Sequence, residues 1–563
     1  ASDVYKRQVK RRTLTFNKGS AFMSLVKKLA AFALSAAAAV TVLSFAQASE
    51  GNGTYSSAVM TCSAADYAPA KVTVKTDYSC TTDAIRINWN KVSGATGYRI
   101  YRYNGKNWIN IATVNNSDTV TYRNSGLSSG TLYQYKVKAY RKVNGTNYWG
   151  KASDAKYAGT KSKAVKITST SQTENAVRLN WTKQTGNGYQ VYQYKSGSWV
   201  KIATLRDMNT TTYRVGGLSN NTEYQFKVRA YRTDTKGKVN AGTCGYVRRM
   251  LGSSPLAKNG PLSVSGANIV NMKGSKFQIR GMSTHGIMWE NFSDILTKNS
   301  LKVLRDDWGV NTIRIAMYTE EYGGYTTGSA FASQAKAKVD QGVENARSLG
   351  MYAVIDWHVL NDRDPKKHQA EAVKFFTEMS KKYKDYNNVI YEICNEPNGG
   401  VTWSGQIKSY CDTLVKTIRK YDKDAIIICG TGTWCQDIDK VVGNRLSDKN
   451  CVYALHFYAN THTDWLRSRF TGCYNKGLPI LVSEFGTCDA SGNGGYNASQ
   501  TKTWLKLLDS KNVGYINWSA CGKSETASAF KSGTNLKAIK SGTSQLTESG
   551  KLIRSWYRSR AGK

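Results

Sequence analysis

Val389-Ile390-Tyr391-Glu392-Ile393-Cys394-Asn395-Glu396-Pro397 is the stretch on which the fold turns. Residues 389–393 form a short, mostly apolar, β-prone run that breaks into a polar Asn-Glu before a proline. Short apolar runs are buried strands or pieces of buried helix, and their flanks arbitrate. Residues 371–383 and 404–419, on either side, carry apolar residues at helical spacing, so the run is a strand between two helices.

Working outward, the same alternation recurs. Strand-like runs lie at 277–281, 312–316, 352–357, 389–393, 425–429, 452–455, 480–483 and 514–518, with helical patterns between them. Eight such units over about 300 residues predict a closed (β/α)8 barrel. Residues 260–274 predict a short hairpin beneath it, and Gly252-Ser253-Ser254-Pro255 marks a hinge before it. The expected boundaries are a linker at 251–257 and a barrel domain at 258–563.

In such barrels functional groups project from the carboxyl ends of the strands. Those positions hold His285, Arg314, Tyr318, His358, Asn395-Glu396, Trp434, His456, Tyr458, Glu484 and Trp518. Two carboxyl groups flanking one anomeric carbon are what cleavage of a glycosidic bond requires, one protonated and one ionised. Glu396 is the expected acid/base and Glu484 the expected nucleophile. Arg314 and Tyr458 would hold Glu484 in its charged form, and Asn395 would hold a sugar 2-hydroxyl. Trp289, Tyr318, Trp403, Trp434, Trp465 and Trp518 are candidate platforms for sugar rings, the first choices being Trp289, Trp434 and Trp518. Lys523 and Glu525 are expected to contact substrate hydroxyls. Three strand-end histidines, His285, His358 and His456, are compatible with zinc ligation, yet Trp and Tyr beside them favour hydrogen bonding to sugar. Asp362 and Asp364 before Pro365 read as helix capping rather than calcium binding. No metal and no cofactor is expected.

The 389–399 run, with Ile355-Asp356-Trp357-His358 and His456-Phe457-Tyr458-Ala459-Asn460-Thr461-His462, resembles glycoside hydrolase family 5, specifically its bacterial endoglucanases. The resemblance covers nearly all of residues 258–560. It implies motif roles for Arg314, His358, Asn395, Glu396, His456, Tyr458, Glu484 and Trp518, with His285 and Lys523 in the cleft. One departure is visible: many relatives carry Trp after the nucleophile, where this chain has Phe485.

Upstream lies a duplication. Trp108, Ile111-Ala112-Thr113, Tyr122, Leu127, Tyr133 and Ala139-Tyr140 recur 91 positions later as Trp199, Ile202-Ala203-Thr204, Tyr213, Leu218, Tyr224 and Ala230-Tyr231. Each copy alternates apolar and polar residues in short runs between Gly, Asn and Ser turns, which predicts a β-sandwich. Both copies resemble fibronectin type III domains, expected at 69–160 and 161–250, and the resemblance implies spacers.

Residues 23–48 read as an export signal: Met23, basic Lys27 and Lys28, an apolar run over 29–45 and the small-residue site Ala46-Gln47-Ala48. Residues 1–22 read as upstream sequence and 49–68 as an N-terminal segment. The expected location is therefore extracellular, with surface association open. The formal charge of +40 divides as +7 over residues 1–48, +20 over 49–255 and +13 over 256–563. The middle section, the densest, lacks the fingerprints of a nucleic-acid module, so a solvated surface or loose adhesion to anionic wall or plant polymers is expected, and no nucleic-acid partner. Eleven cysteines are an odd number, so at least one thiol is free or pairs between chains. Several, such as Cys394, Cys429 and Cys451, sit in apolar strand-like runs where a small buried hydrophobe is the expected role, and Cys62 with Cys80 is the plausible local pair.

The functional expectation is a monomeric, secreted, retaining endo-β-1,4-glucanase acting on cellulose-like β-glucan. A related β-mannanase, xyloglucanase or mixed-linkage glucanase shares the same carboxyl pair. A non-catalytic polysaccharide-binding adhesion protein is the alternative of another class.

Overall fold

The structure, a computed structural model, describes residues 64–563 apart from Glu174, Asn221 and Glu290. The calls on 1–22, on the export signal at 23–48, on most of 49–68 and on Cys62 lie outside the described residues.

Two sandwiches precede a barrel. In each, a three-stranded sheet packs on a five-stranded one. The large sheet of the first is built on Gly97–Tyr103, paired with Trp108–Val114 on one side and Leu132–Val143 on the other. Its counterpart uses Gly188–Lys195, Ser198–Leu205 and Glu223–Thr233. Alternation sets the two faces of each strand. Ile100, Tyr135 and Val137 point inward to Trp89 in one copy, as Val191, Phe226 and Val228 point to Trp181 in the other.

The barrel strands are β1 (Arg280–Ser283), β2 (Thr312–Tyr318), β3 (Tyr352–His358), β4 (Val389–Glu392), β5 (Ile427–Cys429), β6 (Cys451–Tyr458), β7 (Ile480–Gly486) and β8 (Tyr515–Asn517). All pair in parallel and in chain order, and β8 closes on β1. β1 begins three residues later than expected. The reason is local: Phe277 N–H bonds to Ile269 O at 2.9 Å, so the expected start of the strand instead finishes the floor hairpin of Ser263–Ser265 and Asn268–Val270.

The barrel's inward positions change character with height. Low in the barrel they are aliphatic, with Val354, Ile390, Ile428, Val452, Leu481 and Ile516 in one cluster. Further along the same strands, two residues on in β3 and β4 and four in β6, the same face carries Asp356, Glu392 and His456. Outward positions such as Ile313, Ile315 and Met317 pack beneath the helices. A buried aliphatic side chain contributes about 1.5–3 kcal/mol. The upper polar layer forgoes that gain and must be held by pairing.

Glu223 of the second sandwich is clasped by Arg248 of its own sheet and Arg347 of the barrel helix Ser329–Ser348. Gln172 adds a 2.7 Å bond to Ala257 O. Ten described cysteines are free thiols, eight of them buried in the barrel domain; Cys80 donates to Asn240 Oδ1 at 3.3 Å. No described helix is long and apolar enough to cross a membrane.

Candidate active site

A cavity of about 720 Å³ opens at the carboxyl ends of the strands. Its wall includes Glu396, Glu484, His285, His358, His456, Tyr458, Tyr318, Trp289, Trp434, Trp518, Lys523 and Glu525. Of the expected catalytic and supporting residues, Arg314 and Asn395 alone stand behind that wall, each fully buried.

Carboxylate oxygens of Glu396 and Glu484 lie within 4.8 Å of one another, with a His456 ring nitrogen inside the same limit. Both glutamates come from strand ends, Glu484 from inside β7 and Glu396 four residues beyond β4. Glu484 accepts from Arg314 Nη1 at 3.0 Å and from Tyr458 Oη at 2.9 Å. Gly486 makes room for that tyrosine, because a Cβ there would stand 2.3 Å from its ring. Glu396 instead meets His456 Nδ1 at 2.8 Å and has no cation in contact.

These surroundings set the protons. Burial pushes the Glu396 carboxyl up to about 8, with Arg314 opposing and the charges of Asp356 and Glu392 adding to the rise. Burial and the neighbouring Glu396 also raise Glu484, while His456 and Arg314 oppose it. Two carboxylates this close cannot both ionise cheaply. The arginine and tyrosine bonds fall on Glu484, so the shared proton belongs on Glu396. Burial drives His456 down to about 4 and keeps its ring neutral, with Nε2 2.9 Å from Ser483 Oγ.

Arg314 is the hub of the site. It reaches Glu392 at 2.6 Å, Asp356 and Glu484 at 3.0 Å each, and Asn395 Oδ1 at 2.5 Å. One guanidinium faces three carboxyl groups, and burial lifts Asp356 to about 7 against the pull of that same arginine. Glu392 was missed in the sequence reading, although a carboxylate inside an apolar strand calls for a buried counter-charge. His358 bridges this layer to the cavity. Its Nδ1 lies 2.6 Å from Asp356, its Nε2 3.3 Å from Asn395 Nδ2, and its ring stacks on Trp518 at 5.3 Å. Asn395 gives its other amide proton to Val359 O at 3.1 Å.

Several expectations need correction. Trp403 is core, 1% exposed, with Nε1 bonded to Asn444 O and its ring edge-on to Tyr453. Trp465 is exposed beside His462 but does not line the cavity. Phe485 points away from the mouth and stacks on Phe457, so the departure from the family pattern sits in packing and not at a subsite. Asp362 and Asp364 do not cap the helix, which starts later at Gln369. Asp364 braces Lys366 N in the preceding turn, and Asp362 holds Thr319. Among the described residues the three strand-end histidines do not group as metal ligands; His456 groups with the two glutamates, and a second group joins Glu320, Asp362 and His368. Glu321, Asn361, Gln436 and Ser491 line the cavity without having been singled out, because they lie on loops that carry no periodic signal, and His462, quoted within the family motif but given no role, lines it too.

A barrel mouth presenting one protonated and one ionised carboxyl group among aromatic rings defines a glycoside hydrolase. The chain belongs to glycosyl hydrolase family 5. Residues 270–524 match the family model described as Cellulase (glycosyl hydrolase family 5), and residues 162–242 match the fibronectin type III domain. The chain is similar to Endoglucanase N of Pectobacterium atrosepticum, 46% identical over 55% of this chain and 68% of that one. It is similar to the same degree to Endoglucanase 5 of Pectobacterium carotovorum subsp. carotovorum, where the match covers 60% of the relative. Among solved structures, Cellulase Cel5C_n aligns with a TM-score of 0.52 at 42% identity, covering 54% of this chain and 94% of that one. The catalytic domain of Thermobifida fusca endoglucanase Cel5A aligns at 0.52 and 32% identity, over 54% of this chain and all of that one.

Proposed function

We propose that the barrel is a retaining endo-β-1,4-glucanase acting on cellulose-like chains by double displacement. One observation carries the reading: the paired carboxylate oxygens within 4.8 Å. Retaining enzymes hold their carboxyl groups about 5–5.5 Å apart, whereas inverting enzymes need about 6.5–9.5 Å to seat a water. Glu484 attacks the anomeric carbon while Glu396 protonates the leaving oxygen. Formation of the glycosyl ester removes the charge on Glu484, and with it the repulsion that an ionised Glu396 would meet from a second carboxylate. Glu396 then takes a proton from the incoming water. A neutral His456 suits both half-reactions: its Nδ1 accepts from the protonated acid, and in the other tautomer Nδ1–H donates to the carboxylate while Nε2 accepts from Ser483.

The names of the similar endoglucanases and the aromatic wall of Trp289, Trp434 and Trp518 support a β-1,4-glucan substrate. Proton NMR of the first product from a soluble β-glucan is expected to show the β anomer; an α anomer would overturn the retaining assignment. Reducing-end release across glucans and mannans is expected to be greatest on β-1,4-glucan, and a strong preference for mannan would retire it. We also propose export, on the charged start, apolar run and Ala46-Gln47-Ala48 site. N-terminal sequencing of protein from the culture medium is expected to begin at Ser49.

A further inference from the structure

The solvent-facing sides of the two large sandwich sheets carry one arrangement twice. In the first copy, Tyr103 pairs across strands with Trp108, and Tyr101 with Lys136. In the second, Tyr194 pairs with Trp199, and Tyr192 with Lys227. The geometry repeats as well. The Tyr–Trp ring centroids lie 5.4 and 5.3 Å apart, and the lysine nitrogen stands 4.5 and 4.3 Å from the Trp ring. A second cation follows two residues along the same strand, Lys138 in one copy and Arg229 in the other.

Packing does not require this repetition, because none of these side chains enters either sandwich core. Positions beside them have diverged: Arg102 stands opposite Gln193 in the repeat register, Asn110 opposite Lys201, and the turn Asn104-Gly105-Lys106-Asn107 opposite Lys195-Ser196-Gly197-Ser198. What the copies retain is a half-exposed aromatic pair with two cations on the same face. Nearby acids do not neutralise these cations. Glu223, on the second face, is taken by Arg248 and Arg347 at the barrel border, and Asp154, beyond a strand end of the first, pairs with Lys71 at 2.8 Å.

We propose that these two faces are binding sites for an acidic polysaccharide, a polyuronate whose sugar rings lie against the Tyr–Trp pair while their carboxylates meet the lysines. A uronic acid residue offers both partners within one ring: a flat C–H face for the aromatics and an anion for the ammonium. A neutral glucan satisfies the rings alone, and a polyphosphate the cations alone. Two sites on one chain make the second contact intramolecular, so linked sites exceed the affinity of either one. The inference is independent of the hydrolase reading, since binding is measured without turnover.

The test is retention of the full chain on immobilised polygalacturonate, with binding constants from titration at low and physiological salt. Trp108→Ala with Trp199→Ala, and separately Lys136→Gln with Lys227→Gln, are each expected to weaken binding by about a hundredfold, and a change on one face alone by about tenfold. The control pair Lys502→Gln with Lys506→Gln removes the same charge from an exposed barrel helix and is expected to leave binding unchanged. Hydrolysis of a soluble β-glucan is expected to be the same in all variants, which reports that the barrel folds, and unchanged thermal unfolding of the full chain is expected to report that the sandwiches fold as well. Native-level binding by either double variant would overturn the proposal, as would equal loss in the control pair. Displacement of polygalacturonate by duplex DNA as effective as by oligogalacturonate would overturn it too, by showing attraction to any polyanion.

Discussion

The barrel mouth and the outer sandwich faces both set cations against acceptors, yet they do so in opposite surroundings. Arg314 is shut away from water with three carboxyl groups around it. Lys136 and Lys227 stand over Trp rings at the solvent boundary. In the mouth, low dielectric makes every pairing strong and every missing partner expensive. On the sandwich, water and salt screen the same kind of attraction. Burial, more than the number of contacts, decides which charges shape the chemistry.

The contrast breaks most visibly at the carboxyl pair. Glu484→Gln is expected to lower kcat by about 10⁴-fold or more on every substrate, the scale of losing a nucleophile that acts as part of a unit. Glu396→Gln should spare formation of the glycosyl-enzyme from aryl glycosides with activated leaving groups; equal loss in both variants on such substrates would reverse the roles. Next in size, Arg314→Met leaves Glu392, Asp356 and Glu484 without their cation. A cost of about 3–5 kcal/mol is expected from denaturant unfolding of the barrel.

A smaller, pH-dependent effect sharpens the comparison. Because Glu396 binds its proton more tightly in the native state than when unfolded, its stabilising contribution is full below about pH 4 and is lost as pH rises through about 8. Glu396→Gln should therefore gain stability relative to the parent as pH rises through those limits, with close to no gain at about pH 4 and the full gain by about pH 9. Thermal melts at the two pH values check this, and a gain at pH 4 alone would contradict it. The smallest effect belongs to the sandwich. Lys136→Gln and Lys227→Gln are each expected to shift stability by no more than about 1 kcal/mol, since exposed cation–π pairs contribute about 0.5–1.

The barrel was legible in the chain because its strands are continuous apolar runs that end in polar motifs, a signal that survives without any partner strand in view. β1 was misplaced because Phe277 satisfies an apolar pattern equally well in a strand or in the floor hairpin. Glu396, Glu484 and the rings that line the cavity with them stood at strand ends and could be read there. Glu392 carried only half a signal: a carboxylate inside an apolar strand calls for a buried counter-charge, but nothing in its own segment says that Arg314 supplies it from another strand. Trp403 was misread for a related reason: a loop tryptophan looks the same in sequence whether it faces a cleft or, as here, Tyr453. The group of Glu320, Asp362 and His368 comes from separate turns and leaves no spacing to recognise.

The eight thiols hidden in the barrel domain have a consequence for how the chain must be made. Once the last strand closes on the first, oxidants in the medium cannot reach them. Before that moment each is open to mispairing, so in an oxidising environment folding is a race between ring closure and sulfur chemistry. Reductant should accordingly change the yield of refolded enzyme far more than the behaviour of enzyme already folded.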